Sequence, residues 1–447
     1  MKINLSQRIN SRHFRHSRHS RHLQLLLLFL LFSVTTPAQK IVTLKECYNL
    51  AMSATALAGE KKTYADISAL KDNNLSKAWL PTLDANGSFI YNSSVVDFKD
   101  GLGSVPGLAG MINTMPHEQY KITLDINQTI YDGGAIKGAR KMENADLRIN
   151  EKQTETDLYK LRNQVNGYFF NLLLVARQKD LLKNYLEVIT KRIASMQSAL
   201  SNGVITRSDI DVLTAEKLKL LQQAGENDLR KKSLLKLLSD ITGTVIEESA
   251  EFIMPADTAK LPGDITRPEL QVFDLRNEQL SAGMKVIESK RMPKAFGFAT
   301  LGYGSPPGQN FFKDSFSPYY IVGAGVKWNI FDWNKVRNEK QMVVLQKSII
   351  ESRKADMTDN LSRLLESKNA EISSIEIMLS TDNELIDLRK RITASAESQY
   401  ENGTITATEY LNELNAERQA VINYEIHKIN FSMARIEYLN ISGKEIE

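Results

Sequence analysis

The sequence predicts an α+β membrane protein: a transmembrane β-barrel to which each chain gives four strands, continued by a long α-helical coiled-coil barrel. Three observations predict it. The chain is written twice, each copy holds two segments with a period of two, and each copy holds one helical run far longer than a soluble domain needs.

The duplication comes first because it organises everything else. Tyr120-Lys121-Ile122-Thr123-Leu124-Asp125-Ile126 lies over Tyr320-Ile321-Val322-Gly323-Ala324-Gly325-Val326 at an offset of 200. The same offset puts Tyr131-Asp132-Gly133-Gly134 over Phe331-Asp332-Trp333-Asn334. It also puts Asn202-Gly203-Val204-Ile205-Thr206 over Asn402-Gly403-Thr404-Ile405-Thr406, with no gap between. Register held over so long a stretch marks an internal repeat. The expected organisation is a leader over 1–38, a first helix-strand-strand-helix-helix unit over 39–243, a linker over 244–265 and a second unit over 266–447. The linker carries Pro255, Pro262 and Gly263.

The leader explains the charge. Six of the 57 Lys and Arg residues fall in 1–38, which has no acidic residue, so the rest holds 51 basic against 53 acidic side chains. A near-neutral body argues against a nucleic-acid partner. The basic stretch to Arg21–His22, the apolar run Leu23–Val34 and the small residues ending at Ala38 have the layout of a secretory signal, too short for a membrane span. Cleavage is expected after Ala38. A DNA-binding Arg/His arm is the weaker reading, since the leucine block follows at once.

Each unit opens with a helix (about 43–78; about 266–290) that proline ends, at Pro81 and Pro293. Tyr120, Ile122, Leu124 and Ile126 then alternate with Lys121, Thr123, Asp125 and Asn127. In the second unit Tyr320, Val322, Ala324, Val326, Trp328 and Ile330 are expected to share one face. A segment of about twelve residues suits a tilted membrane strand, and the aromatic ends suit interfacial girdles. A soluble β-sandwich edge is the bland alternative for this segment. Partner strands are expected near 82–92 and 294–303.

Asp132 and Asp332 can cap the helices that follow, through the strand-to-helix turns at Asp132, Gly133, Gly134 and Asp332. From Leu161 through Val165, Tyr168, Leu172, Val175, Leu182, Leu186, Ile189, Ile193 and Met196 to Leu200, the seam keeps three-four spacing, with Lys179 the single polar intruder. In the second unit Lys368 and Asp382 interrupt the seam. A run of about 68 residues is about 100 Å long at 1.5 Å per residue. Asn202-Gly203 and Asn402-Gly403 end the long helices, and return helices follow from about 206 and 406.

Four strands cannot close a barrel, so several chains must pool theirs. Eight strands would enclose only side chains, whereas twelve would leave a lumen.

On these motifs the chain resembles the TolC-like outer-membrane efflux protein family. The carriers are Leu44-Lys45-Glu46-Cys47, Trp79-Leu80-Pro81-Thr82-Leu83, Tyr131-Asp132-Gly133-Gly134 and above all the two helix turns, Asn202 to Asp209 and Tyr400 to Leu411. The resemblance implies a homotrimer with a twelve-stranded barrel in outer-membrane lipid and a helical barrel reaching into the periplasm. It implies a channel for efflux or type I secretion that docks a periplasmic adaptor and an inner-membrane pump. It implies that Asn202, Gly203, Thr206, Asn402, Gly403 and Thr406 form the docking tips. It further implies that Glu409, Tyr400, Asp209 and Asn412 surround the entrance, Glu409 as a gating acid. Asn412 and Ile405 stand where the family's best-known member has an acid and an arginine, so a fully salt-bridged gate is not expected. The short tail after Ile441 points to a reduced belt around the helical barrel.

Other readings fare worse. An enzyme would need chemistry that two histidines outside the leader, His117 and His427, and one cysteine, Cys47, do not supply. No cofactor or metal is expected. A structural coiled-coil or adhesin protein of the envelope explains the heptads but not the duplicated strand pairs. A sugar-selective porin would need many strands and few helices.

Overall fold

The computed structural model describes residues 41–96, 115–201, 205–256, 261, 263–310 and 313–445. The expected leader and the turn residues Asn202, Gly203 and Val204 lie outside the described residues.

The first unit runs β1 (Ile41–Val42), α1 (Leu44–Ala54), a 3-10 turn (Ala56–Gly59), α2 (Glu60–Lys77), β2 (Thr82–Tyr91), β3 (Glu118–Tyr131), α3 (Ala135–Ser201) and α4 (Arg207–Thr242). After β4 (Glu251–Phe252), the second runs α5 (Pro268–Ser289), β5 (Lys294–Ser305), β6 (Ser317–Lys327), α6 (Lys335–Glu401) and α7 (Ala407–Ser442). Both long helices have 67 residues and both return helices 36, and each pair starts and ends at the same offset of 200.

Two expectations need correcting. The first helix is not continuous over 43–78. Thr55 is extended (φ −69°, ψ 145°) and its hydroxyl accepts from the Leu57 amide, so the chain restarts as a 3-10 turn before α2. The second unit opens on one uninterrupted helix, with Pro268 in the first turn of α5, where its missing N–H costs nothing. The last strand is also shorter than its alternation suggested. It ends at Lys327, and Trp328 and Ile330 lie beyond it, the indole N–H donating to the Arg291 carbonyl at 3.0 Å.

The strands form one antiparallel sheet in the order β2-β3-β5-β6, so the two units meet where β3 pairs with β5. Phe89, Ile122, Leu124, Leu301, Tyr303, Tyr320, Val322 and Val326 are exposed on one face. The other face carries Asp84, Asn86, Lys121, Thr123, Asp125 and Thr300, joined by hydrogen bonds to Asp125 from Thr300 (2.6 Å), Asn86 (2.8 Å) and Thr123 (2.9 Å). β2 and β6 each keep one unpaired edge, and one chain closes no barrel.

The helices hold the core. The seam of α3 is buried at Val165, Leu172, Val175, Leu182, Ile189 and Met196. Midway along, Val165, Phe169, Phe170 and Leu172 pack against Leu44, Cys47 and Ala51 of α1, Leu235 and Leu238 of α4, and Ile429 and Ile436 of α7. Tyr48 sits in that cluster, donating to Asn166 and accepting from Asn440, and burial pushes its phenol up to about 12. The interruptions in the α6 seam are satisfied in the same way. Asp382 bonds His427 Nδ1 at 2.7 Å and Lys368 pairs with Glu437 at 2.7 Å, both on α7. A buried charge tolerates such a place only when partnered.

Candidate functional site

The candidate site is the end of the molecule farthest along the chain from the sheet, where α3 returns as α4 and α6 as α7. Two capping boxes begin the return helices. Thr206 donates its amide (3.0 Å) and hydroxyl (2.7 Å) to the Asp209 carboxylate. Thr406 does the same to Glu409 (2.7 and 3.0 Å), and the Glu409 amide donates back to the Thr406 hydroxyl at 3.2 Å. Each box satisfies amides that a helix start leaves bare. Hydrogen bonds from the Thr406 backbone, then from its hydroxyl, hold the Glu409 carboxyl below its usual range.

The described turn explains its own sequence. Gly403 has φ +72°, a region where a side chain is strained. The Thr404 amide reaches back to the Gln399 carbonyl (2.9 Å) and the Gly403 amide to Tyr400 (3.0 Å), closing the helix end as a Schellman-type turn. Asn402 adds a side-chain bond to the Ser398 carbonyl at 2.8 Å.

Beneath the turns lies an aromatic and ionic cluster. Tyr400 stacks on Tyr410 (centroids 5.6 Å apart, 16° between planes), and its hydroxyl donates to the Met196 sulfur at 3.5 Å. Burial raises the Tyr400 phenol, and the Asp209 charge adds to the rise. Arg192 of α3 pairs with Glu397 and with Glu401 (2.9 Å) of α6, its guanidinium 5.2 Å from the Tyr410 ring centre. About two turns inward, Arg418 of α7 meets Glu216 of α4 at 3.3 Å, both almost buried.

Tyr400 and Asp209 are therefore neighbours, whereas Glu409 and Asn412 point to solvent in the single chain. Ile405 is half-buried in the apolar tip cluster. Arg192, Tyr410, Arg418 and Glu216 were not foreseen. Only the placement of Arg192 beside the seam residue Ile193 could have hinted that its charge faces a second helix.

At the opposite end, Asp132 accepts from the amides of Gly134 (2.8 Å) and Ile136, and Asp332 from that of Val336 (3.1 Å). Both act as caps. Among the described residues no group of His, Cys, Asp and Glu could hold a metal ion.

Residues 73–237 match the family described as "Outer membrane efflux protein". That match spans the stretch from the end of α2 through β2, β3 and α3 into α4. Its fold is similar to that of CusC, at 12% identity with a TM-score of 0.70 over 93% of this chain and 96% of that one. It is similar to the CmeC outer membrane channel of Campylobacter jejuni (14% identity, TM-score 0.64, 99% and 95% covered). It is also similar to the MtrE outer membrane channel of Neisseria gonorrhoeae in its open state (13% identity, TM-score 0.64, 90% and 89% covered). No curated protein matches the sequence. Over nearly its whole length the chain therefore shares the fold of solved outer-membrane channels.

Proposed function

We propose that three copies of this chain pool twelve strands into one outer-membrane barrel and continue it with their helices as a periplasmic duct. The duct then gives cargo an exit from an inner-membrane pump, in a tripartite efflux or type I secretion system. The tips at Thr206, Asn402, Gly403 and Thr406, together with Asn202 and Gly203, seat a periplasmic adaptor. On this reading 1–38 is removed as a signal, and 39–243 and 266–447 are the two repeats either side of the 244–265 linker.

One observation carries the proposal. The sheet is open at β2 and β6, apolar on one face and polar on the other. All ten residues of β2 are exposed. In lipid each unpaired backbone group costs several kcal/mol, so both edges need partners, and identical chains supply them head to tail. Three sheets leave a lumen where two would be filled by side chains.

Around the entrance Glu409 would face its two copies, with Asp209 and Tyr400 joining neighbouring helices. With Asn412 and Ile405 in place of charged groups, such an entrance is held by fewer ion pairs. The deciding experiment is mass measurement of the detergent-solubilised complex. A trimer is expected, and a stable, folded monomer overturns the reading.

A further inference from the structure

The polar face of the sheet carries one stripe that does not match it. Phe298 lies opposite Gly323 and Phe296 opposite Gly325, while Tyr319 lies opposite Gly302 and Ile321 opposite Thr300. The Thr300 bond to Asp125 fixes the face, because strand residues two apart share a side. The rings lie across the glycines. A Cβ at Gly323 would sit 2.5 Å from the Phe298 ring, one at Gly325 2.6 Å from the Phe296 ring, and one at Gly302 would meet Tyr319. Phe296 and Phe298 adjoin (centroids 6.3 Å apart) and stay 38% and 36% exposed, and Ile321 stays 37% exposed. From Phe296 to the Gly302–Tyr319 pair the stripe is continuous for roughly 20 Å, at about 3.4 Å per residue.

Charge brackets it. Lys294 opposite Lys327 is the rung next to Phe296 on the helix side, and Asp125 beside Asp84 is the rung next to Phe298 on the other. Lys121 lies two rungs beyond Asp125. Water-facing aromatic rings on an otherwise polar wall are positioned to stack on something passing, since a ring offers both apolar area and a π-face.

We propose that this stripe binds solutes with an aromatic body, and that the lysine and carboxylate rungs select where an attached charge rests. The proposal rests on the barrel reading above, in which this face lines the lumen. A solute cation then rests toward Asp125 with its rings on Phe298, and an anion toward Lys327 with its rings on Phe296. The competing role is packing alone, the rings covering glycines that have no side chain.

Single-channel recording of the full oligomer in a planar bilayer separates these. The probes are tetraphenylphosphonium and tetraphenylborate, alike in shape and opposite in charge, with tetraethylammonium as a non-aromatic control. Both tetraphenyl ions are expected to give resolved blocks. The paired substitution Phe296→Leu and Phe298→Leu keeps apolar volume, and should shorten those blocks about three- to tenfold while leaving open conductance and tetraethylammonium unchanged. Phe298→Tyr, which keeps the ring, should preserve the phosphonium block. Asp125→Asn should shorten the phosphonium block only, and Lys327→Gln the borate block only. Block times unchanged in a leucine variant that conducts like the parent would overturn the proposal and leave the rings as packing. A parent oligomer that never conducts would instead sink the barrel reading.

Discussion

The two strand-to-helix turns build one backbone from different residues. In the first unit Gly133 and Gly134 take φ +72° and +89°; in the second Trp333 and Asn334 take φ +52° and +61°. Both turns are closed by the preceding aspartate. The difference lies in what surrounds them. A Cβ at Gly133 would sit 2.6 Å from the Met292 Cβ and 3.0 Å from the Ser289 carbonyl oxygen, so the first turn is wedged under the end of α5. Trp333 is 83% exposed and stacks edge-on against Phe331 at 4.8 Å. Close packing thus requires glycine in one copy, and an open site lets the other bear an unfavourable backbone in exchange for an aromatic surface. On the proposed barrel reading this turn lies at the rim, where such a surface suits the lipid headgroup layer.

This contrast ranks the substitutions. Gly133→Ala meets both penalties, left-handed strain and a backbone-bound neighbour that cannot rotate away. A loss of roughly 2–4 kcal/mol is expected, read as a lower dissociation temperature of the detergent-solubilised oligomer. If Gly133→Ala were as stable as the parent, the wedge under α5 would not exist.

Gly403→Val tests strain without crowding, since nothing lies within 4 Å of its missing Cβ. A β-branched residue there should cost over ~1 kcal/mol locally. The barrel should assemble while export through the adaptor falls. Export at the parent level, measured in cells depleted of their own channel, would remove this turn from the docking tip.

Trp333→Gly goes the other way. Relief of the left-handed backbone is worth about 1 kcal/mol, offset in part by chain entropy. Stability in detergent should rise slightly, while insertion into liposomes weakens if the indole is a membrane anchor. A fall in detergent stability would mean that the indole packs on something the single chain does not reveal.

Much of this was legible in the sequence because periodicity survives translation. The offset of 200 foretold equal helices, and the alternation from Tyr120 foretold β3, whereas its register to β2 and β5 was carried by no local pattern. The faults arose where one side chain overrides a pattern. Thr55 turns its hydroxyl back on the chain and breaks a helix whose apolar spacing continues through it. Trp328 and Ile330 extend the alternation past Lys327, but β6 ends there and the indole bonds a loop carbonyl instead. Arg192 was invisible for a different reason. Its meaning depends on Glu397 and Glu401, some two hundred residues away, and no local pattern carries that pairing.

The smallest effect expected is at Glu409, and it is the most informative about the entrance. In the single chain its carboxylate completes a capping box and titrates below the usual carboxylate range. A depressed folded-state value means that this contribution is intact at neutral pH and is lost only as pH falls through that lowered value. Three copies facing one another around a pore axis would push the other way, each charge opposing ionisation of the next. Glu409→Gln separates the two roles because glutamine can still complete the box with Thr406. The helix start should therefore hold, and the dissociation temperature of the oligomer should fall only slightly at pH 7, by the loss of the carboxylate's charge. If Glu409 lines the pore, cation preference should fall and block by divalent and trivalent cations should weaken in single-channel recordings. A variant with unchanged selectivity and block would leave Glu409 as a capping residue and remove it from the constriction.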